Sequence, residues 1–433
     1  MNNFVDPVPE ILKIKTRLNL PKPNGEYHVL SLIENILSKN KIYEQKKSFM
    51  PDYPYFSYIP SAVDYISSAT ELLTSYTPYQ AEISQGLLQI LFEYQSLICE
   101  LTGMDVANAS LYDHSTALSE ALLMAIKYTG RNKVLIPKYM RHERKQVVYS
   151  YLRAYNCQIY EYGIDSKSGF LNIEEIEENI KDAAAIYGEN PTYFGIIDQN
   201  IIKISETIHK YGSLFVVGIE PISLGIIREP GSYGADIVVG EAQHLSINPC
   251  FGGPSLGIIA CKDDIRLIHL LPGRIIGLTN TLDKSEEGFV LALQAREQHI
   301  KREKATSNIT TNTSWLAVRA AIHIALLGKT GLKKLATRIY YNTKNFIQRI
   351  REIDGFEVVF SNSNYFRNVL LKLDKDYVDI LDNLYKKGFA FGKNISKYFP
   401  EFNHCILVGI NEFHDNDAIN ELVNEIKSII SYV

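Results

Sequence analysis

Between Val134 and Ala260 the chain alternates short apolar runs with longer segments whose apolar residues recur at helical spacing, and this alternation narrows the fold more than any other feature. The runs at 134–136, 158–162, 184–187, 214–219, 236–239 and 257–260 read as strands. The stretches near 116–127, 141–154, 172–180 and 201–211 read as helices. Strands separated by helices of ~10–15 residues make βαβ units and a largely parallel sheet. Ligands of such sheets bind beyond the carboxyl ends of the strands, so the loops after these runs are where chemistry is to be sought.

The flanks have a different texture. Residues 1 to about 65 read as an arm: Leu18–Asn24 carries two prolines, His28–Leu37 fits a short helix, and Phe49–Pro60 is rich in aromatics and proline without a period. Ile83–Leu101 reads as a helix, with Leu87, Ile90, Leu91, Tyr94, Leu97 and Ile98 on one face. A long helical stretch at about 313–350 precedes strands at 356–360, 369–373 and 405–409 and helices at 376–387 and 418–432. The expected division is an arm at 1–65, a large α/β domain at 66–310, and a linking helix with a small α/β domain at 311–433.

Composition excludes several classes. The 45 Lys+Arg stand against 49 Asp+Glu, so no basic excess points to nucleic acid. Cys99, Cys157, Cys250, Cys261 and Cys405 are scattered without CxxC spacing, which argues against a metal site or a disulfide framework and suits a reducing cytoplasm. Met1–Pro7 lacks the basic and apolar regions of a signal peptide. The apolar stretch Trp315–Leu327 is broken by Arg319 and His323 and falls short of the ~20 residues that cross a bilayer, so no membrane is expected.

Four segments are candidates for chemistry. Tyr112–Thr116 is a turn opening a helix, where free N–H groups favour an anion, although Ser115 or Thr116 as a plain N-cap is an equal reading. Gly252-Gly253 allows a tight turn or a close backbone approach and matches no phosphate-loop motif. Arg296–Asn308 places cations beside Thr306, Ser307 and Asn308, which fits either a solvated face or an anion-contacting loop. Thr77–Gly86 is polar and aromatic, and Tyr79 is one phenol among 28 tyrosines.

Together these segments resemble one family. Tyr76–Gly86 (YTPYQAEISQG) is similar to the YTPYQPEISQG signature of the glycine decarboxylase P-protein, and Cys99–Ser110, Pro272–Gly277 and Gly288–Asn308 continue the likeness in order. The length resembles the N-terminal half of the family's single-chain form, subunit 1 of the split enzyme. The resemblance implies a pyridoxal-phosphate fold type I architecture, an α2β2 assembly with a subunit 2, and decarboxylation of glycine with transfer of its aminomethyl group to the lipoyl arm of H-protein. The chain departs from the family twice: Phe49–Tyr53 replaces a glycine-rich stretch, and His114 replaces a glycine, which removes backbone freedom and puts an imidazole where a phosphate would approach.

The resemblance also bears on the cofactor. A pyridoxal enzyme needs a lysine amine at the cofactor aldehyde. The corresponding stretch, Asp236–Ser246, has none; Gln243 stands at about that position, and Lys262 lies beyond the next strand. The expectation is therefore that pyridoxal phosphate sits on the partner subunit. Tyr79, Gln80 and Glu82 become candidates for completing an interfacial site, and Arg302, Lys304, Thr306, Ser307 and Asn308 for contacting phosphate or carboxylate. A non-catalytic scaffold subunit is the competing reading; a self-contained pyridoxal enzyme is opposed by the missing lysine.

Overall fold

The computed structural model describes residues 8–13, 16, 19–51, 55–73, 76–374 and 379–431. The expectations touching Met1–Pro7, Arg17-Leu18, Asp52–Pro54, Asp376–Val378 and Tyr432 lie partly outside these residues. Met1–Tyr43 and Glu44–Val433 are two compact units. The first contains α1 (Glu26–Leu37), which buries none of its residues.

The second unit opens with β1 (Ser48–Phe49), α2 (Ser61–Ser67), α3 (Thr70–Leu73) and α4 (Gln85–Thr102). Its centre is a seven-stranded sheet of β2 (Val106–Ala107), β3 (Lys133–Pro137), β4 (Gln158–Tyr162), β5 (Ala185–Glu189), β6 (Leu214–Ile219), β7 (Ile237–Glu241) and β8 (Gly257–Cys261), ordered β2-β8-β7-β6-β5-β3-β4. β4, β3, β5, β6 and β7 run parallel; β8 is antiparallel to both β7 and β2. The helices between are α5 (His114–Thr129), α6 (His142–Arg153), α7 (Ile173–Asn179) and α8 (Ile201–Lys210).

Successive side chains of a strand point to opposite faces, and a sheet covered on both faces reads as a continuous apolar run. Phe215, Val217 and Val238 join Leu88, Leu91, Ile204 and Leu316 on one face. Val216, Ile237 and Val239 join Leu118, Leu122 and Val148 on the other. The runs in the sequence are uninterrupted because both faces are spoken for.

After the sheet come α9 (Ile265–Leu270), an antiparallel hairpin of β9 (Ile275–Asn280) and β10 (Glu287–Ala292), α10 (Gln298–Lys301) and α11 (Ser314–Ile350). By length and composition α11 could span a membrane, but Leu316, Ala317, Val318 and Ala320 pack into the sheet core. It is also not one helix: Gly328 takes φ 55° and ψ −176°, which breaks it into two. That break corrects the single stretch expected at 313–350, and glycine is the residue that takes positive φ without steric cost.

A four-stranded antiparallel sheet, with β11 (Phe356–Val358), β12 (Asn368–Leu373), β14 (Lys393–Asn394) and β15 (Cys405–Gly409) in the order β11-β12-β15-β14, carries α12 (Ile380–Lys386) and α13 (Asn416–Ser431). β13 (Ala390–Phe391) leaves that sheet and pairs in parallel with β1.

Candidate functional site

Three parallel strands end on a carboxylate: β5 on Glu189, β6 immediately before Glu220, and β7 on Glu241. All three are buried, so each must find partners or lose its charge. Glu189 is met by Arg144 of α6, itself buried, and by the hydroxyl of Tyr187, which donates to Glu189 Oε1 at 2.7 Å. Because that hydroxyl has spent its proton, its oxygen accepts from His114, whose Nε2 is 3.1 Å away. The imidazole therefore carries its proton on Nε2. Burial, aided by the Arg144 and Arg141 cations, pushes the His114 pKa far down, so the ring is neutral.

Glu220 is answered by the chain itself. His244 Nε2 lies 2.8 Å and Arg367 Nη2 3.5 Å from Oε1, and the Ser223 N–H donates to Oε2 at 2.7 Å. Burial pushes the Glu220 carboxyl up, but Arg367 and His244 outweigh it and hold it below the ordinary carboxylate value. The Tyr55 ring covers the Arg367 guanidinium at 4.4 Å. A cavity of about 50 Å³ remains among Glu220, Arg367, Arg144 and His114.

Glu241 supports the turn before α5. Its carboxylate accepts from the N–H groups of His114, Gln243 and Leu256 at 2.8–3.1 Å. Burial dominates and pushes its pKa up to about 7. Asp113 Oδ1 accepts from the Thr116 N–H, so the N-cap of α5 is Asp113 and neither Ser115 nor Thr116. Gly257 lies directly beneath, where a Cβ would stand 2.5 Å from the Asp113 carbonyl oxygen. His114 is the first residue of α5 and has no positive φ, so replacing glycine there strains nothing; its ring turns inward to Tyr187.

These contacts test whether the chain suits pyridoxal phosphate. Gln243, just past β7, is 2% exposed and has no amine to offer. The α5 N-terminus, where a phosphate would bind, already meets two carboxylates, Asp113 and Glu241. The acid that would face a pyridinium nitrogen is held by His244 and Arg367. The residues do not fit the cofactor. Lys262 is ion-paired with Asp236 on the far side of β8.

The other candidates lie on the surface. Tyr79, Gln80 and Glu82 are exposed in the loop before α4. Arg274, buried, donates to Thr77 Oγ1 and sits 5.1 Å from the Tyr79 ring centroid, so the loop has a fixed shape. Gln85 ties it to the hairpin by accepting from the Phe289 N–H at 2.8 Å and donating to its carbonyl at 2.9 Å. Tyr76, Tyr79, Ile83, Leu278, Leu282 and Val290 are all exposed there. Arg302, Lys304 and Asn308 are exposed, whereas Thr306 and Ser307 are anchored on α5: Lys127 holds the Thr306 carbonyl and Glu120 binds the Ser307 hydroxyl. No hydrogen bond or ion pair joins this loop to Tyr79, Gln80 or Glu82 among the described residues.

Sequence reasoning missed Arg144, Glu189, Glu220, His244 and Arg367. A signal was available: three of the apolar runs finish on glutamate (AIYGE, LFVVGIE and IVVGE).

Comparison with known proteins places this architecture. A probable glycine dehydrogenase (decarboxylating) subunit 1 of Thermococcus onnurineus is 43% identical over 95% of this chain and 91% of its own length. The protein of the same name from Staphylothermus marinus is 41% identical over 100% and 94%. A crystal structure of glycine decarboxylase (P-protein) of the glycine cleavage system, in inhibitor-bound form, superposes with a TM-score of 0.88 at 32% identity, covering 98% of this chain and 94% of that one. A sphingosine-1-phosphate lyase of Burkholderia pseudomallei, at TM-score 0.69 and 10% identity over 100% and 95%, shares the fold alone. The architecture is that of pyridoxal-phosphate fold type I enzymes. The model of the glycine cleavage system P-protein family matches residues 1–426, and the chain belongs to that family.

Proposed function

We propose that this chain is the half of a two-subunit glycine decarboxylase that carries no cofactor of its own. The single observation behind this reading is the self-satisfied pocket: Arg367 and His244 hold Glu220, Arg144 holds Glu189, and Gln243 stands where an amine is needed. In the proposed α2β2 assembly a subunit 2 holds pyridoxal phosphate on its own lysine. The assembly decarboxylates glycine and delivers the aminomethyl group to the lipoyl arm of an H-protein, in the cytoplasm.

The part of this chain is then to complete the partner's site. The exposed side chains of Tyr76, Tyr79 and Ile83 on the loop before α4 suit burial against that subunit. Tyr79, Gln80 and Glu82 would position glycine or the partner's cofactor. Arg302 and Lys304, with Thr306, Ser307 and Asn308 beside them, would hold a carboxylate or phosphate through charge-assisted bonds. The proposed domain division at residues 65 and 310 puts these groups on the large domain.

Borohydride reduction of the chain with pyridoxal phosphate, followed by intact mass, should give no stoichiometric adduct. Glycine–bicarbonate exchange should appear only when the chain is mixed with subunit 2. A single-lysine adduct, or exchange by the chain alone, overturns the reading.

A further inference from the structure

The long helix α11 is charged in one sign only. It contains no Asp or Glu, and its charged residues are all Lys or Arg, in a chain whose net charge is −4. Beyond the break at Gly328, Lys329, Lys333, Lys334 and Arg338 are exposed, and no ion pair holds any of them among the described residues. Lys329 with Lys333, and Lys334 with Arg338, stand four residues apart, a spacing at which like charges destabilise a helix. A solvated helix face ordinarily alternates its signs. This stripe costs the isolated chain stability and gives it nothing in return.

The stripe lines a groove. One cavity, of about 440 Å³, is lined by Thr330, Lys333, Lys334, Thr337, Arg338 and Tyr341. A second, of about 530 Å³, shares Thr337 and Tyr341 with it and adds an apolar wall of Ile197, Ile226 and Ile227 beside Arg228. No acid lines either cavity among the described residues. The wall is fixed in place: a Cβ on Gly225 would stand 2.7 Å from the Leu332 carbonyl oxygen, so the turn before Ile226 lies directly on α11. Arg228 donates to the hydroxyl and carbonyl oxygens of Ser232, which are neutral and leave its charge uncancelled. Glu229, next in sequence, lies against Gly103. Apolar wall and cations together suit an anion that also carries aliphatic groups. A polynucleotide has phosphates but no aliphatic anchor, and the net negative charge of the chain opposes it at range. A flat anionic bilayer would meet the rim of the hollow and leave its apolar wall unfilled. We propose that this groove docks an acidic protein segment, with an apolar side chain of that segment against Ile226 and Ile227 and its carboxylates on Lys333, Lys334 and Arg338. The decarboxylase reading is not needed for it.

The probe is a fluorescein-labelled peptide, Asp-Glu-Leu-Glu-Ile-Asp-Glu-Leu, titrated with the full chain at low salt and read by anisotropy. Saturable binding is expected, weakening at least about tenfold when the Leu and Ile of the peptide are replaced by Ser. The double reversal Lys333→Glu with Lys334→Glu should also weaken it at least about tenfold. Both lysines are exposed, so this variant keeps the fold, which circular dichroism checks. Arg153→Glu with Lys181→Glu makes the same change of net charge on exposed residues outside the groove and should leave binding within about twofold of the parent. No saturable binding overturns the proposal, as does an equal loss in the two double variants. A serine-substituted peptide that binds as tightly as the first overturns it too, because charge alone would then account for binding. So does tighter binding of an oligothymidylate or of phosphatidylserine vesicles than of the peptide.

Discussion

The strand-end pocket and the Tyr79 face are opposites. In the pocket, Glu189, Glu220 and Glu241 are buried and each is answered by cations, hydroxyls or backbone N–H groups of the same chain. On the face, aromatic and aliphatic side chains stand in water above a loop that Arg274 and Gln85 keep in shape. The first region spends its polar chemistry on holding the fold together. The second has a defined shape and nothing of its own to bind. At its strand ends this fold closes buried carboxylates with its own side chains, and on the Tyr79 loop it leaves apolar side chains exposed.

The largest effect tests whether the pocket charges are truly interlocked. Glu220→Gln leaves Arg367, 1% exposed, without its carboxylate. Breaking a buried pair from one side costs about 3–5 kcal/mol, so urea unfolding should show a loss of that size. A change below about 1 kcal/mol would mean that Arg367 is neutralised elsewhere and that the pocket is less self-contained than drawn.

A second test reads the pocket through pH. Glu241 has its pKa raised to about 7, burial being the largest cause, while the Leu256 and His114 N–H groups and nearby Asp113 act in opposing directions. The native state therefore holds a proton that the unfolded chain releases near the ordinary carboxyl value. Its contribution to stability is full below about pH 4.3 and is lost as pH rises through about 7, with a slope of up to ~1.4 kcal/mol per unit. Glu120, also raised to about 7 by burial, slopes the same way. The neutral His114 slopes the other way at acid pH, so the informative quantity is a difference. Stability of Glu241→Gln relative to the parent should rise between pH 5 and 7.5. A parallel offset at both pH values would mean that Glu241 stays ionised throughout.

Tyr79→Ala should do the reverse of Glu220→Gln. The side chain is 68% exposed and its main contact is the Arg274 guanidinium, so the isolated chain should lose no more than about 1 kcal/mol. In the assembly with subunit 2, exchange activity should fall at least about tenfold if the ring packs at the partner's site. Unchanged exchange at full assembly would favour a scaffold role for this face.

Much of the fold is legible in the sequence, for a physical reason. Strands covered on both faces need apolar residues on both, so Leu214–Ile219 and Cys405–Gly409, buried at every position, show their bounds directly. The antiparallel direction of β8 and the β9–β10 hairpin are not legible, because strand direction and pairing leave no mark on local periodicity. The candidate site divides in the same way. The absence of a lysine after β7 can be read from the chain. The partners that fill the pocket cannot, because Glu220 meets Arg367 only when β6 and the start of β12 are brought together. The acid at the end of each strand is local, and it marks where such a partner is required.

The smallest effect bears on whether the basic loop belongs with the Tyr79 face at all. Lys304 is exposed, and no ion pair holds it among the described residues. A solvated lysine contributes ~0–1 kcal/mol to anything, so Lys304→Ala should leave the stability of the chain unchanged. If the loop reaches a carboxylate or phosphate across the subunit boundary, the glycine KM of the assembly should rise severalfold at low salt. That gap should narrow as ionic strength shortens the screening length from ~30 Å at 0.01 M to ~8 Å at 0.15 M. A KM equal to the parent's at both salt concentrations would assign the run of cations to a hydrated surface. The Thr306 and Ser307 anchors on α5 would then serve to hold the loop down, and the surface that completes the partner's site would reduce to the Tyr79 loop and the hairpin.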